Sequence, residues 1–302
     1  MVKVPEYLKI GDTIGIVCPA GYMPYEKVEK CILTLKQWGY NVKVGKTVGN
    51  QEHYFSGTDE LRLSDIQEMI DDERVKAILC ARGGYGTGRI IDKINFKKFK
   101  KKPKWIIGFS DITILHQHLY AKYKIASMHA PMAGAFNEMN DCDEYIESLK
   151  NILLGKKAKY VCGSHLFNKK GKASGRLTGG NLTLLSHLEG TDSIVNTNNK
   201  ILFIEDVGEY IYNIDRMLYQ LKRSGKLEKV RGLIVGGFTE IKDTLVPFGK
   251  TAEEVIKDIV EDYTYPVCYN FPISHAKDNY ALKPGIKYEL IVGEYLTSLS
   301  EI

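Results

Sequence analysis

Along the first 130 residues, short continuous apolar runs alternate with stretches whose apolar positions recur every three or four residues. "DTIGIVCPA" (12–20), "NVKVG" (41–45), "VKAILCARGG" (75–84), "KWIIG" (104–108) and "IASMHAPM" (125–132) are runs of the first kind. Their length, β-branched content and flanking Gly or Pro predict buried strands of a parallel sheet. Between them, residues 25–38 place Val28, Cys31, Ile32, Leu35 and Trp38 on one helical stripe closed by Gly39. Residues 58–71 read as a second helix with Thr58 or Asp59 as its cap, 87–93 as a short one, and 110–122 as a fourth. Strand–helix–strand alternation of this kind predicts an open, mostly parallel sheet with helices on both faces.

The pattern loosens after residue 134. A helical stretch near 142–154 and the lysine-rich segments that follow, to residue 172, read as a bridge to a second domain. There, "ILFIE" (201–205) and "GLIVGGF" (232–238) read as strands, 212–223 and 251–262 as helices, and 265–276 as a closing strand and loop. The expected division is 1–134 for the first α/β domain, 135–172 for the bridge and 173–302 for a smaller α/β domain. A chain of 302 residues suits two such domains.

Composition narrows the function classes. Apolar content of 44% and charged content of 26% are those of a globular protein. The net charge of +5 is concentrated in the lysine run 97–104, which has no interleaved aromatics or recognised nucleic-acid module, so it reads as a solvated face. No stretch approaches the roughly 20 apolar residues needed to span a bilayer, and the N-terminus does not resemble a signal peptide. The six cysteines (18, 31, 80, 142, 162, 268) are scattered with no CxxC pair, which predicts buried thiols in a reducing compartment rather than disulfides or a metal site. A cytoplasmic protein without nucleic-acid or membrane partners is expected.

Candidate chemistry gathers beyond the strand ends. In "GFSDI", Ser110 sits at a strand-to-helix corner behind Gly108, either capping the helix or projecting as a nucleophile. Ile112 occupies the place where hydrolase elbows carry a second glycine. "RGGYG" (82–86) matches neither a Walker nor a dinucleotide pattern; Gly83, Gly84 and Gly86 form either a tight turn or an oxyanion cradle. Among the seven histidines, His53 and His165 read as exposed and His187 as packed. His116 and His118 diverge on one helix, His129 lies near the strand ends, and His275 lies in a Pro-containing loop. Glu205 ends an apolar strand, where an ionised carboxylate needs a partner. These residues permit a Ser–His–Glu assembly without selecting it.

Five segments in order carry more information than any one of them: "ARGGYG" (81–86), "GFSDIT" (108–113), "GGNLTLL" with "LEGT" (179–191), "FIEDVGE" ahead of "IDRMLYQL" (203–221), and "FPISHA" (271–276). Together they resemble the LD-carboxypeptidase family of serine peptidases, over nearly the whole chain. The resemblance implies a flavodoxin-like N-terminal sheet, a C-terminal α/β domain and an active site in the cleft between them. It implies that Ser110 is the nucleophile, His275 the base and Glu205 its orienter, with an oxyanion hole from the amides of Asp111 and Gly84. Gly83, Arg82 and Asn181 are then candidate substrate contacts; Arg82 has a salt-bridge role as its alternative and Asn181 a helix cap. No metal or organic cofactor is expected. The implied substrate is a murein tetrapeptide, cut between the L-centre of its diamino acid and a terminal D-alanine, in a homodimeric enzyme. A related branch hydrolyses peptidyl-nucleotide antibiotics of the microcin type and tends to carry tryptophan after "GGN". Residues 182–192, "LTLLSHLEGTD", have none, which favours the murein substrate. The alternative outside enzymology is a module that binds a small anion on the glycine turn.

Overall fold

The computed structural model describes residues 1–138 and 143–302 and divides into two compact units, 1–156 with 280–283, and 157–279 with 284–302. In the first unit, strands β1 (Thr13–Val17), β2 (Asn41–Val44), β3 (Val75–Cys80), β4 (Trp105–Gly108) and β5 (Met128–His129) form a sheet in the order β2-β1-β3-β4-β5. Every pair is parallel. That order is the flavodoxin-like one, in which ligand groups gather beyond the carboxyl ends near the β1/β3 reversal. The strands are apolar along their whole length because helices flank the sheet: Ile14, Ile16, Ile78, Leu79, Ile106 and Ile107 are all buried.

The helices of this unit are α1 (Glu26–Gln37), α2 (Asp59–Asp71), α3 (Thr87–Ile90), α4 (Lys97–Lys101), α5 (Thr113–Tyr123) and α6 (Glu144–Leu153). Thr58 caps α2 by accepting from Leu61 N–H, and Asp143 caps α6 by accepting from Tyr145 and Ile146 N–H. The lysine run departs from a purely solvated face. Lys97, Lys98, Lys100, Lys101 and Lys102 are exposed, but Lys104 is buried, its Nζ donating to Met69 O at 2.9 Å and Asp72 O at 2.5 Å. Burial holds its pKa down to about 8.

The second unit is a seven-stranded mixed sheet in the order β10-β9-β8-β7-β11-β12-β6. Its strands are β6 (Lys159–Gly163), β7 (Gly171–Asn181), β8 (Lys200–Val207), β9 (Gly232–Thr239), β10 (Val267–Cys268), β11 (Lys287–Val292) and β12 (Leu296–Glu301). Strands β7 to β10 run parallel, and β11, β12 and β6 are added antiparallel. Helices α7 (Leu182–His187), α8 (Ile211–Arg223) and α9 (Ala252–Val260) supply Leu185, Ile214, Leu218, Val255 and Ile256 to one apolar cluster with Leu202, Ile204 and Leu233.

The stretch 135–172, expected as a bridge, is divided between the units. Helix α6 buries Ile146, Leu149, Ile152 and Leu153 in the first, while β6 pairs with β12 in the second. Cys142 lies outside the described residues. Two histidines also differ from expectation. His187 ends α7 exposed rather than packed, and His165 is half-buried against the Tyr269 ring at 5.6 Å. Among the described residues no helix is long and apolar enough to cross a membrane.

Candidate active site

Strand β4 ends at Gly108 (φ +151°), and Ser110 follows with φ +62° in a single turn of 3-10 helix that leads into α5. A non-glycine residue in the left-handed region costs about 1–3 kcal/mol and persists only where its surroundings impose it. Here they do. A Cβ on Gly108 would lie 3.0 Å from Ile112 Cγ1 and 3.3 Å from Cys80 Cβ. Ile112 therefore fills the space that the missing Gly108 side chain leaves, so the corner closes without a second glycine. Neither start of the following helix has a side-chain cap, which removes capping as the role of Ser110. Asp111 caps a different helix: its buried carboxylate accepts from Thr87 N–H at 2.8 Å, where Gly86 has no side chain to do so.

The glycine turn lies against this corner. A Cβ on Gly83 would fall 2.9 Å from Ser110 Cβ, 3.0 Å from its Oγ and 3.2 Å from Asp111 N, so only glycine fits. Gly83 O accepts from Gly21 N–H at 2.9 Å, which ties the turn to the loop after β1. Gly84 has φ +94° and lies beside Tyr54. Arg82 is exposed and donates to Tyr22 O at 2.7 Å. Arg62, fully buried, braces the same loops by donating to Pro19 O at 2.7 Å and Gly86 O at 3.0 Å. From below, His116 Nε2 donates to Gly108 O at 2.8 Å. Burial pushes the His116 pKa down to about 4, so the ring stays neutral and keeps a single donor.

In the second unit, Glu205 lies near the carboxyl end of β8, between β7 and β9, with no exposed surface. Its Oε2 accepts the His275 Nδ1 hydrogen bond at 2.6 Å. His275 follows β10 on a segment laid against β9: Phe271 N–H donates to Val235 O at 3.1 Å and Gly237 N–H to Ile273 O at 2.9 Å. Burial opposes a charge on the imidazole. The Glu205 hydrogen bond and negative charge, with Asp206 and Glu240 adding, outweigh it and hold the His275 pKa above its ordinary value. Asp206 is pushed up to about 6 by its own burial and by repulsion from Glu205. Asn181 Nδ2 donates to its Oδ1 at 2.8 Å, and Thr183 N–H and Oγ1 both lie 2.9 Å from its Oδ2. Asn181 also caps α7 by accepting from Leu184 N–H at 3.2 Å.

Of the residues singled out in the sequence, Ser110, Asp111 and Gly83 thus come together in one unit, with Arg82 and Gly84 on the same turn. Glu205 and His275 meet in the other, with Asn181 joined to the neighbouring Asp206. The parts played by Arg62, His116 and Asp206 had no sequence signal beyond an ionisable residue inside, or at the end of, an apolar pattern. Among the described residues no group of three or more His, Cys, Asp or Glu could hold a metal ion.

A strained serine beyond a parallel sheet and a buried His–Glu pair at the end of a second sheet are components of serine hydrolase chemistry. The chain belongs to the LD-carboxypeptidase family: residues 14–130 match the family's N-terminal domain and 174–290 its C-terminal domain. It is accordingly a serine-type carboxypeptidase, a hydrolase. It is 36% identical to the probable murein peptide carboxypeptidase of Bacillus subtilis, over 96% of this chain and 92% of that protein. To the microcin C7 self-immunity protein MccF of Escherichia coli it is 26% identical, over 97% and 94% of the two chains. Among solved structures, muramoyltetrapeptide carboxypeptidase from Oxalobacter formigenes superposes with a TM-score of 0.87 at 29% identity, covering 96% of this chain and 98% of that one.

Proposed function

We propose that the protein removes the terminal D-alanine from murein tetrapeptides during cell-wall turnover, with Ser110 as nucleophile, His275 as general base and acid, and Glu205 as the group that orients His275. The observation that carries the reading is the left-handed φ of Ser110 at the end of β4, a strain that neither a helix cap nor a plain turn requires. The 2.6 Å Glu205–His275 hydrogen bond supports it, because it fixes the tautomer that leaves Nε2 as the proton acceptor.

In the proposed reaction, Ser110 Oγ attacks the scissile carbonyl as its proton passes to His275 Nε2. The amides of Asp111 and Gly84 stabilise the oxyanion. The tetrahedral intermediate collapses with transfer of that proton to the departing amine of D-alanine, leaving an acyl-enzyme. Water, activated by the same imidazole, then frees the tripeptide and the serine. Arg82, on the glycine turn, is suited to the terminal carboxylate. Gly83 admits the substrate close to Ser110, and Asn181 acts through the Asp206 network.

The likeness to MccF makes a peptidyl-nucleotide the rival substrate, and the absence of tryptophan in 182–192 favours the murein peptide. Parallel assays on an LD-tetrapeptide and a peptidyl-adenylate separate the two. Release of D-alanine from the first is expected, and cleavage of the adenylate alone would overturn the murein reading.

A further inference from the structure

The mixed sheet of the second unit has β10 and β6 at its two ends in hydrogen-bonding order, yet both ends meet the same piece of chain. The segment that leaves β6 returns to the free side of β10, where Lys169 N–H donates to Val267 O at 2.9 Å and Val267 N–H to Lys169 O at 3.0 Å. Asn168 Oδ1 accepts from Tyr269 N–H at 2.8 Å, and its Nδ2 donates to Thr297 Oγ1 at 3.4 Å. Thr297 is the register partner of Cys162 across β12 and β6. Partners in an antiparallel pair present their side chains on one face. Cys268, in β10, donates its thiol to Tyr269 O at 3.6 Å and has the Cys162 and Thr297 side chains as its polar neighbours. The curl of the sheet thus sets two cysteines 106 positions apart in sequence side by side.

We propose that Cys162 and Cys268 are a redox modification site, forming a reversible intrachain disulfide that joins β6 to β10 when the protein meets hydrogen peroxide. The two thiols are not equivalent. Cys162 is partly exposed, whereas Cys268 has no exposed surface. Peroxide in solution reaches Cys162 directly, and Cys268 is shielded from it by burial. Cys162 is therefore the attacking thiolate and Cys268 the resolving thiol. The Cys162 thiolate attacks one peroxide oxygen, the O–O bond breaks, and hydroxide leaves a sulfenic acid behind. The Cys268 sulfur then attacks Cys162 Sγ; the S–S bond forms as the S–O bond breaks, and the departing hydroxide takes the Cys268 proton as water. Two thiols and one peroxide give one disulfide and two waters. Cys18, Cys31 and Cys80 are buried, and burial raises the pKa of each, so they stay reduced.

The test uses the full chain carrying Cys142→Ser, treated with peroxide, alkylated, and digested without reduction for mass spectrometry. A linked peptide pair joining Cys162 to Cys268, two hydrogens lighter than the sum of its parts and separated by dithiothreitol, is expected. Adding Cys268→Ser should replace the link with a dimedone-trappable sulfenic acid on Cys162, at several times its level in the parent. Absence of the linked pair in the parent overturns the proposal, whether Cys162 is then found as free thiol or as sulfinic acid. Equal dimedone labelling of parent and variant overturns the resolving role of Cys268.

Discussion

The His275 imidazole is governed by two opposed forces at one ring: burial resists its charge, and the Glu205 carboxylate on Nδ1 favours it more strongly. A general base must be neutral to accept a proton, and the folded pKa lies above the ordinary 6.5. Activity should therefore fall on acidification through a value above 6.5. Glu205→Gln removes the main opposition to burial and leaves only the smaller contributions of Asp206 and Glu240, which moves that acid limb downward. It also offers Nδ1 the wrong partner, with loss of turnover of order 10⁴-fold. A pH–rate profile of both proteins measures the two effects; an unmoved limb would mean that another group titrates. At this scale the sequence was partly readable. A charged residue ending an apolar strand marked Glu205, but a loop histidine looks the same with or without a carboxylate beside it, so only family resemblance singled out His275. The capping role of Asp111 on α3 depends on a contact 24 positions away, which local pattern does not contain.

Elements hold these residues in place, and two of them offer tests. The His275 segment lies so close to β9 that a Cβ on Gly236 would fall 2.3 Å from Ile273 O. Gly236→Ala must push the segment outward. Overpacking of this kind costs about 1–3 kcal/mol, and a displacement near 1 Å at the imidazole lowers turnover on the order of 10²-fold. Thermal melts and initial rates would register both, whereas a rate equal to the parent's would show that the segment does not position His275.

At the end of β4, His116 contributes through its protonation state. Its folded pKa of about 4 lies below the 6.5 of the unfolded chain, so the unfolded state takes up the proton first as pH falls. The associated stability is fully present above pH 6.5 and declines as pH drops toward 4, by on the order of 3 kcal/mol. His116→Gln keeps a donor for Gly108 O without titrating, so its denaturation midpoint should vary less with pH over that window than the parent's. Equal slopes would mean that His116 does not set them. The parallel strands were legible because burial on both faces leaves continuous apolar runs. Strands β6, β11 and β12 were not, because each alternates buried and exposed positions in short antiparallel pairings, as in the β11 sequence "KYELIV".

At the scale of the whole molecule, two α/β units bring a strained serine and a buried His–Glu pair to the ends of their sheets, within a family of LD-carboxypeptidases. The strand alternation of the first unit announced its sheet. The second unit's mixed sheet depends on pairings distant in sequence, such as Tyr288 with Gly175 and Leu177 with Ile201, and no local pattern specifies them. The central claim is that Ser110 attacks the bond to a terminal D-residue. It is tested most directly by mass spectrometry of an LD-tetrapeptide digest run with the parent protein and with Ser110→Ala. Free D-alanine and the matching tripeptide should accumulate with the parent and fall by roughly 10⁶-fold with the variant, while the melting temperature shows the variant folded. D-alanine released at comparable rates by both proteins would contradict the account.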